Sequence, residues 1–188
     1  RFSIEGTAAF IGLDSPAVFA GNHMSVLETF VLPSIIQPHR PVTFVVKKEL
    51  LDYPAFGPVL AGRRPIVVSR QDPRKDLETV LREGEQRLRG GTSVIVFPQN
   101  TRTPDFNPAR FNSLGVKLAR RAGVPVIPFA LRTDAWGTGK WLKDFGRISP
   151  DLPVRISFGE AIRVEGNGRK GQARLVEFIS RRVNRSGS

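Results

Sequence analysis

The run Ser93-Val94-Ile95-Val96-Phe97 is apolar at almost every position and lacks the alternation of a strand that faces water on one side. A strand of that composition has to be covered on both faces. Short, β-branched runs bounded by Pro or Gly recur at 18–21, 42–46, 66–69, 126–131 and 154–158 and predict five more strands. Amphipathic segments lie between them. Helices are predicted over 26–36, after Ser25 as N-cap, and over 73–88, after the Asp72-Pro73 start signal. Two more are predicted over 112–122, closed by Gly123, and over 171–183. Leu77, Val80, Leu81 and Leu88 share one stripe, as do Leu175, Val176, Ile179 and Val183. Strand–helix alternation of this kind implies an α/β fold: a layered sandwich of a mixed, largely parallel sheet flanked by helices. The stretch 136–152 is aperiodic and reads as a surface excursion. The 188 residues are expected to form a single domain over 1–188.

Composition narrows the chemistry. The chain has no cysteine, which excludes disulfides, iron–sulfur clusters, thiolate zinc and a cysteine nucleophile. Its two histidines, His23 and His39, leave little material for a metal site, and none is expected. No apolar stretch approaches the roughly 18 residues of a membrane span. The formal charge of +12 favours anionic partners: nucleic acid, an anionic membrane surface, phosphate-bearing cofactors or an acidic carrier protein. No zinc knuckle or RNP-like phenylalanine pattern supports nucleic acid, so none is expected as a partner. No Gly-x4-Gly-Lys-Ser/Thr loop supports nucleotide hydrolysis.

Asn22-His23-Met24-Ser25-Val26-Leu27-Glu28 follows a predicted strand and opens a helix, a favoured location for chemistry in α/β folds. Positions five apart on a helix lie about 140° apart, so His23 and Glu28 meet only if the chain turns between them. Ser25 as N-cap supplies that break. A carboxylate on one ring nitrogen would fix the tautomer and leave the other nitrogen free to take a proton from a hydroxyl. No Gly-x-Ser-x-Gly elbow is present, so the hydroxyl would be the substrate's own. The alternative is a capping box, in which Glu28 only bonds the backbone N–H of Ser25. His39 sits in a proline-bounded loop and reads as a loop residue.

A second polar turn follows the 93–97 strand. Phe97-Pro98-Gln99-Asn100-Thr101-Arg102 ends the ladder at Pro98 and supplies amide, hydroxyl and guanidinium groups. Arg102 can hold a phosphate or carboxylate with two parallel hydrogen bonds. Lys47 and Arg70 follow two other predicted strands, and Val124-Pro125-Val126-Ile127-Pro128 enters another.

Together these four blocks resemble the glycerolipid acyltransferase family typified by 1-acylglycerol-3-phosphate acyltransferases. The family's first motif is His-x4-Asp, met here by His23 and Glu28. Its second, Lys-x2-Leu-x3-Pro-x2-Gly and on to Ile-x3-Arg, is matched by Lys47, Leu50, Pro54, Gly57, Ile66 and Arg70. Its third, Phe-Pro-Glu-Gly-Thr-Arg, is matched at Phe97, Pro98, Thr101 and Arg102, with Gln99 and Asn100 in the Glu and Gly places. Its fourth is a Val-Pro-x-x-Pro strand entry, met at 124–128. The resemblance implies that His23 is the general base for an acceptor hydroxyl and that Glu28 orients it. It implies Lys47, Arg70 and 97–102 as the acceptor-binding set. The co-substrate would be acyl-CoA or acyl carrier protein, with no other cofactor. The acceptor would be a lysophospholipid or related lipid at an anionic membrane surface. Localisation would be membrane-associated on the cytoplasmic face, with a membrane-associated segment preceding residue 1. Acyltransferases acting late in lipid A synthesis also resemble this chain in placing Glu at the acid position. Arg64 stands where the second motif has Gly. The changes at 64, 99 and 100 are expected in the acceptor region, which leaves the acceptor open between lysophosphatidic acid, another lysophospholipid and a lyso-aminolipid. The other function class open to so basic a chain is a non-catalytic domain for anionic membrane or nucleic acid.

Overall fold

The computed structural model describes residues 2–25, 27–53, 57–99, 101–133, 149 and 151–184. Seven strands form one sheet: β1 (Phe2–Glu5), β2 (Val18–Gly21), β3 (Val42–Lys47), β4 (Ile66–Val68), β5 (Ser93–Val96), β6 (Val126–Arg132) and β7 (Val154–Phe158). Their order is β1-β7-β6-β2-β5-β3-β4. Strands β2 to β6 run parallel, β7 is antiparallel to β6, and β1 is parallel to β7. This is the mixed, largely parallel sheet that the apolar runs predict. Strand β1 was not predicted: it lies on the sheet edge with all four residues exposed. The expected excursion at 136–152 falls almost entirely outside the described residues.

The helices are α1 (Ala8–Ile11), α2 (Leu27–Ile36), α3 (Gly57–Ala61), α4 (Pro73–Arg89), α5 (Leu114–Ala122) and α6 (Arg169–Asn184). Alternate side chains along each central strand feed two cores. Phe19, Ile95, Ile127 and Phe129 pack with Phe10 of α1 and with Leu32 and Ile36 of α2. Val18, Ala20, Val94, Val96 and Val126 pack with Val80 and Leu88 of α4, Leu118 of α5, and Leu175 and Ile179 of α6. Double coverage is why these strands carry almost no polar residue. Phe10 meets Phe19 and Phe158 edge to face at centroid distances of 5.3 and 4.9 Å. Each such pair contributes about 0.5–1.5 kcal/mol beyond its buried area.

Local signals hold where the sequence placed them. The Asp72 side chain accepts from the N–H groups of Arg74 and Lys75 at the start of α4. Gly123 ends α5 at φ +70°, and its N–H returns to Ala119 and Arg120 carbonyls. Gly21 answers a different demand: a Cβ there would stand 2.3 Å from the Phe129 carbonyl oxygen on the neighbouring strand. No described helix is long and apolar enough to cross a membrane.

Because β2, β3, β4, β5 and β6 are parallel, their carboxyl ends share one edge of the sheet. Arg64 lies at the other edge, just before β4, where its carbonyl accepts from the Thr43 hydroxyl near the start of β3. The sequence placed it in the acceptor region, and the parallel register moves it away. Its φ of +48° explains why glycine suits that position.

Arg40, also away from the carboxyl edge, is buried without a carboxylate. Its guanidinium donates to the carbonyls of Ser15, Phe10 and Leu13, joining the end of α1 to the approach of β2. Burial lowers its pKa from the ordinary arginine value, and the side chain stays charged. Arg40→Met strips three carbonyls of their donor, which costs about 3 kcal/mol or more. Urea unfolding is expected to show a lower midpoint at an unchanged slope, with Arg40→Lys recovering part of the loss.

Candidate active site

Strand β2 stops at Gly21, and the next residue keeps pairing by side chain instead of backbone. The Asn22 amide donates to the Leu131 carbonyl at 2.9 Å and accepts from the Leu131 N–H at 2.8 Å. This fastens the end of β2 to β6 and frees the backbone to turn. His23 follows, and α2 begins four residues later.

The turn brings His23 and Glu28 together, with Nδ1 and Oε2 2.5 Å apart. Glu28 has no exposed side-chain surface, while the histidine side chain is 17% exposed. The Glu28 carboxylate also accepts from the Ser25 N–H at 2.7 Å and lies 3.2 Å from the Met24 nitrogen. The two readings of the sequence therefore coexist: Oε1 completes the capping-box contact, while Oε2 holds the histidine. An ionised carboxylate only accepts, so against it Nδ1 of His23 is the donor, and in that tautomer of the neutral ring the lone pair lies on Nε2. Among the described residues, the hydrogen bond of the His23 ring is the one made through Nδ1.

The loop after β5 walls the histidine. The Phe97 ring stacks on the imidazole at 4.1 Å between centroids and 20° between planes, and meets Phe129 edge-on at 5.7 Å. Gln99 is 7% exposed, and its side chain faces the His23 backbone. Its Oε1 accepts from the His23 N–H at 2.7 Å, and its Nε2 donates to the Thr103 hydroxyl at 3.0 Å. The Thr103 N–H returns to the His23 carbonyl at 3.0 Å. Phe97 and Gln99, both in the expected acceptor-binding set, lie against the histidine. Pro98 is buried, and its carbonyl accepts from the Asn112 N–H. Thr101 is exposed and Arg102 half-buried, while Asn100 lies outside the described residues.

Lys47 ends β3, and Arg70 stands two residues beyond β4; both are exposed. Arg70 takes φ +58°, a conformation steadied by Asp76, which accepts from the N–H groups of Ser69 and Arg70. Lys47 and Arg70 leave β3 and β4 at the same edge of the sheet as His23, and the loop that carries Arg102 returns to His23 through the Thr103 N–H.

Two residues that secure the site carried no local signal. One is Asn22, already described. The other is Thr133, directly after β6, whose hydroxyl donates to Glu28 Oε1. Each acts on a partner more than a hundred residues away, beyond any local spacing rule.

Residues 4–132 match the family model described as Acyltransferase. A 1-acyl-sn-glycerol-3-phosphate acyltransferase of Pseudomonas aeruginosa is 34% identical over 163 residues, covering 86% of this chain and 60% of its own length. A chloroplastic 1-acyl-sn-glycerol-3-phosphate acyltransferase of Brassica napus is 30% identical over 140 residues, covering 74% of this chain and 38% of its own. The chain thus spans less than two thirds of either relative. The crystal structure of a 1-acyl-sn-glycerophosphate acyltransferase from Thermotoga maritima shares the fold, with a TM-score of 0.75 and 22% identity. It covers 100% of this chain and 73% of its own.

Gln99→Leu removes both the acceptor for the His23 N–H and the donor to Thr103. It is expected to cost about 1–3 kcal/mol of stability and to speed amide exchange at His23 and Thr103. Gln99→Glu keeps the acceptor and is expected to lose less, by the same two measurements.

Proposed function

The chain belongs to the acyltransferase family, and we propose that it moves a fatty acyl group from an acyl thioester to a hydroxyl of a lysophospholipid-type acceptor. The observation that carries this reading is His23, held through Nδ1 by a buried carboxylate and open at Nε2. In that tautomer Nε2 takes the proton of the acceptor hydroxyl as its oxygen attacks the thioester carbonyl carbon. A C–O bond forms, the C–S bond breaks, and the imidazolium returns the proton to the departing thiolate. Glu28 offsets the charge on the imidazolium while it lasts. The chemistry needs no covalent acyl-enzyme and no further cofactor.

The basic residues at this edge support a phosphate-bearing acceptor. In a 1-acylglycerol-3-phosphate the phosphate lies a few bonds from the reacting hydroxyl. With that hydroxyl at His23, Arg102, on the loop that returns to His23, would meet the phosphate, with Lys47 and Arg70 on neighbouring strands of the same edge. Gln99 supplies no charge there. The acyl donor is acyl-CoA or acyl carrier protein. The charge of +12 suits an anionic membrane surface, with the enzyme membrane-associated on its cytoplasmic side.

The test is acceptor-dependent thiol release from a panel of acyl-CoAs in detergent, with lysophosphatidic acid, other lysophospholipids and a lyso-aminolipid. His23→Ala is expected to lower kcat by about 100- to 10,000-fold without unfolding the chain. Arg102→Ala is expected to raise KM about tenfold or more for phosphate-bearing acceptors only. A folded His23→Ala protein with wild-type turnover sinks the proposal.

A further inference from the structure

We propose that Thr133 is a positioning residue for His23, and that the length of the acid at position 28 is matched to it. The inference rests on the acyl-transfer reading of this site. Glu28 is wholly buried, so protein donors have to meet its carboxylate. His23, Met24 and Ser25 supply donors from one short segment, which moves as a unit. Among the described residues, Thr133 is the donor that comes from elsewhere, 105 positions along the chain. It follows directly on β6, and β6 is itself fastened to Asn22 at Leu131. Thr133 therefore fixes Oε1 relative to the sheet. Because a carboxylate is rigid, it also fixes Oε2, and with it the direction of His23 Nε2.

The Ser25 hydroxyl can set the polarity of this bond. It lies 3.1 Å from Thr133 Oγ1 and 3.2 Å from Glu28 Oε1, with one hydrogen to give to either. When it donates to Thr133, the Thr133 hydrogen is left for Glu28, and each bond polarises the next.

Acid length follows from the same contacts. An aspartate would draw the carboxylate back by about one C–C bond, roughly 1.5 Å. The contacts to His23 at 2.5 Å and to Ser25 at 2.7 Å would open beyond hydrogen-bonding range. Helix α2 cannot follow, because its Leu32 and Ile36 are fully buried in the core. Glutamate spans from α2 to both His23 and Thr133, whereas aspartate would have to release one of them.

The experiment compares Thr133→Val, Thr133→Ser, Glu28→Asp and the Glu28→Asp/Thr133→Val double variant in the thiol-release assay. Alongside it, the Nδ1–H resonance of His23 is followed by NMR. Thr133→Val is expected to lower kcat about 10- to 100-fold with KM values within about twofold. Thr133→Ser is expected to restore kcat to within about threefold, as a hydroxyl donor should. In the Glu28→Asp background, Thr133→Val is expected to cost less than about threefold, because the shared contact is already gone. The Nδ1–H resonance is expected to move in Thr133→Val and Glu28→Asp and to stay in Thr133→Ser. Wild-type kcat and an unmoved resonance in Thr133→Val overturn the proposal, as does a loss that Thr133→Ser fails to restore. If Thr133→Val does not fold, Glu28→Asp decides: an unmoved resonance overturns it. If the wild type releases no thiol with any donor or acceptor, the acyl-transfer reading fails, and the NMR comparison still decides whether Thr133 positions His23.

Discussion

A carboxylate cut off from water has to find its hydrogen bonds inside the protein, and the carboxyl edge of this sheet is arranged around that requirement. Glu28 points inward from the first turn of α2 and is met by groups from the β2–α2 turn and from the end of β6. The turn after β2 has to be tight enough to return two backbone N–H groups to the acid. Strand β6 has to end beside it, and the Asn22 bonds to Leu131 hold that alignment. Satisfying one buried charge thus fixes the ring of His23 and leaves one nitrogen open.

The parallel sheet then decides what that nitrogen can reach. Every parallel strand delivers its loop to the same edge, so residues far apart in sequence become neighbours by strand order. Strand β5 comes between β2 and β3, and its loop supplies the Phe97 stack and the Gln99 clamp on the histidine backbone. The same loop carries Arg102 back toward the histidine segment through the Thr103 N–H, while Lys47 and Arg70 leave β3 and β4 at that edge.

The opposite edge is given over to holding the fold. Arg40 gathers three carbonyls there, and the carbonyl of Arg64, at positive φ, is received by the Thr43 hydroxyl. Positive φ recurs at the carboxyl edge only at Arg70 among the non-glycine described residues, where Asp76 steadies the turn after β4. The two arginines break the same local rule at opposite ends of β4, yet only Arg70 stands on the side of the histidine.

While the short α1 and α3 escaped it, the sequence by itself determined six of the seven strands, the four longer helices, the two-faced burial of the sheet, the caps of α4 and α5 and the His23–Glu28 pairing as one of two options. These rest on local propensity and short spacings, which a single segment carries. Strand β1 escaped because four exposed residues at an edge leave no burial pattern to read. Strand order, and so which loops share the edge of His23, was settled only by the tertiary structure. So were the placing of Arg64 at the opposite edge, the turning of Gln99 toward the His23 backbone, and the contacts of Asn22 and Thr133. Each depends on contacts between segments that sequence spacing does not relate, and those segments meet because burying apolar strands on both faces leaves the chain few ways to close its sheet.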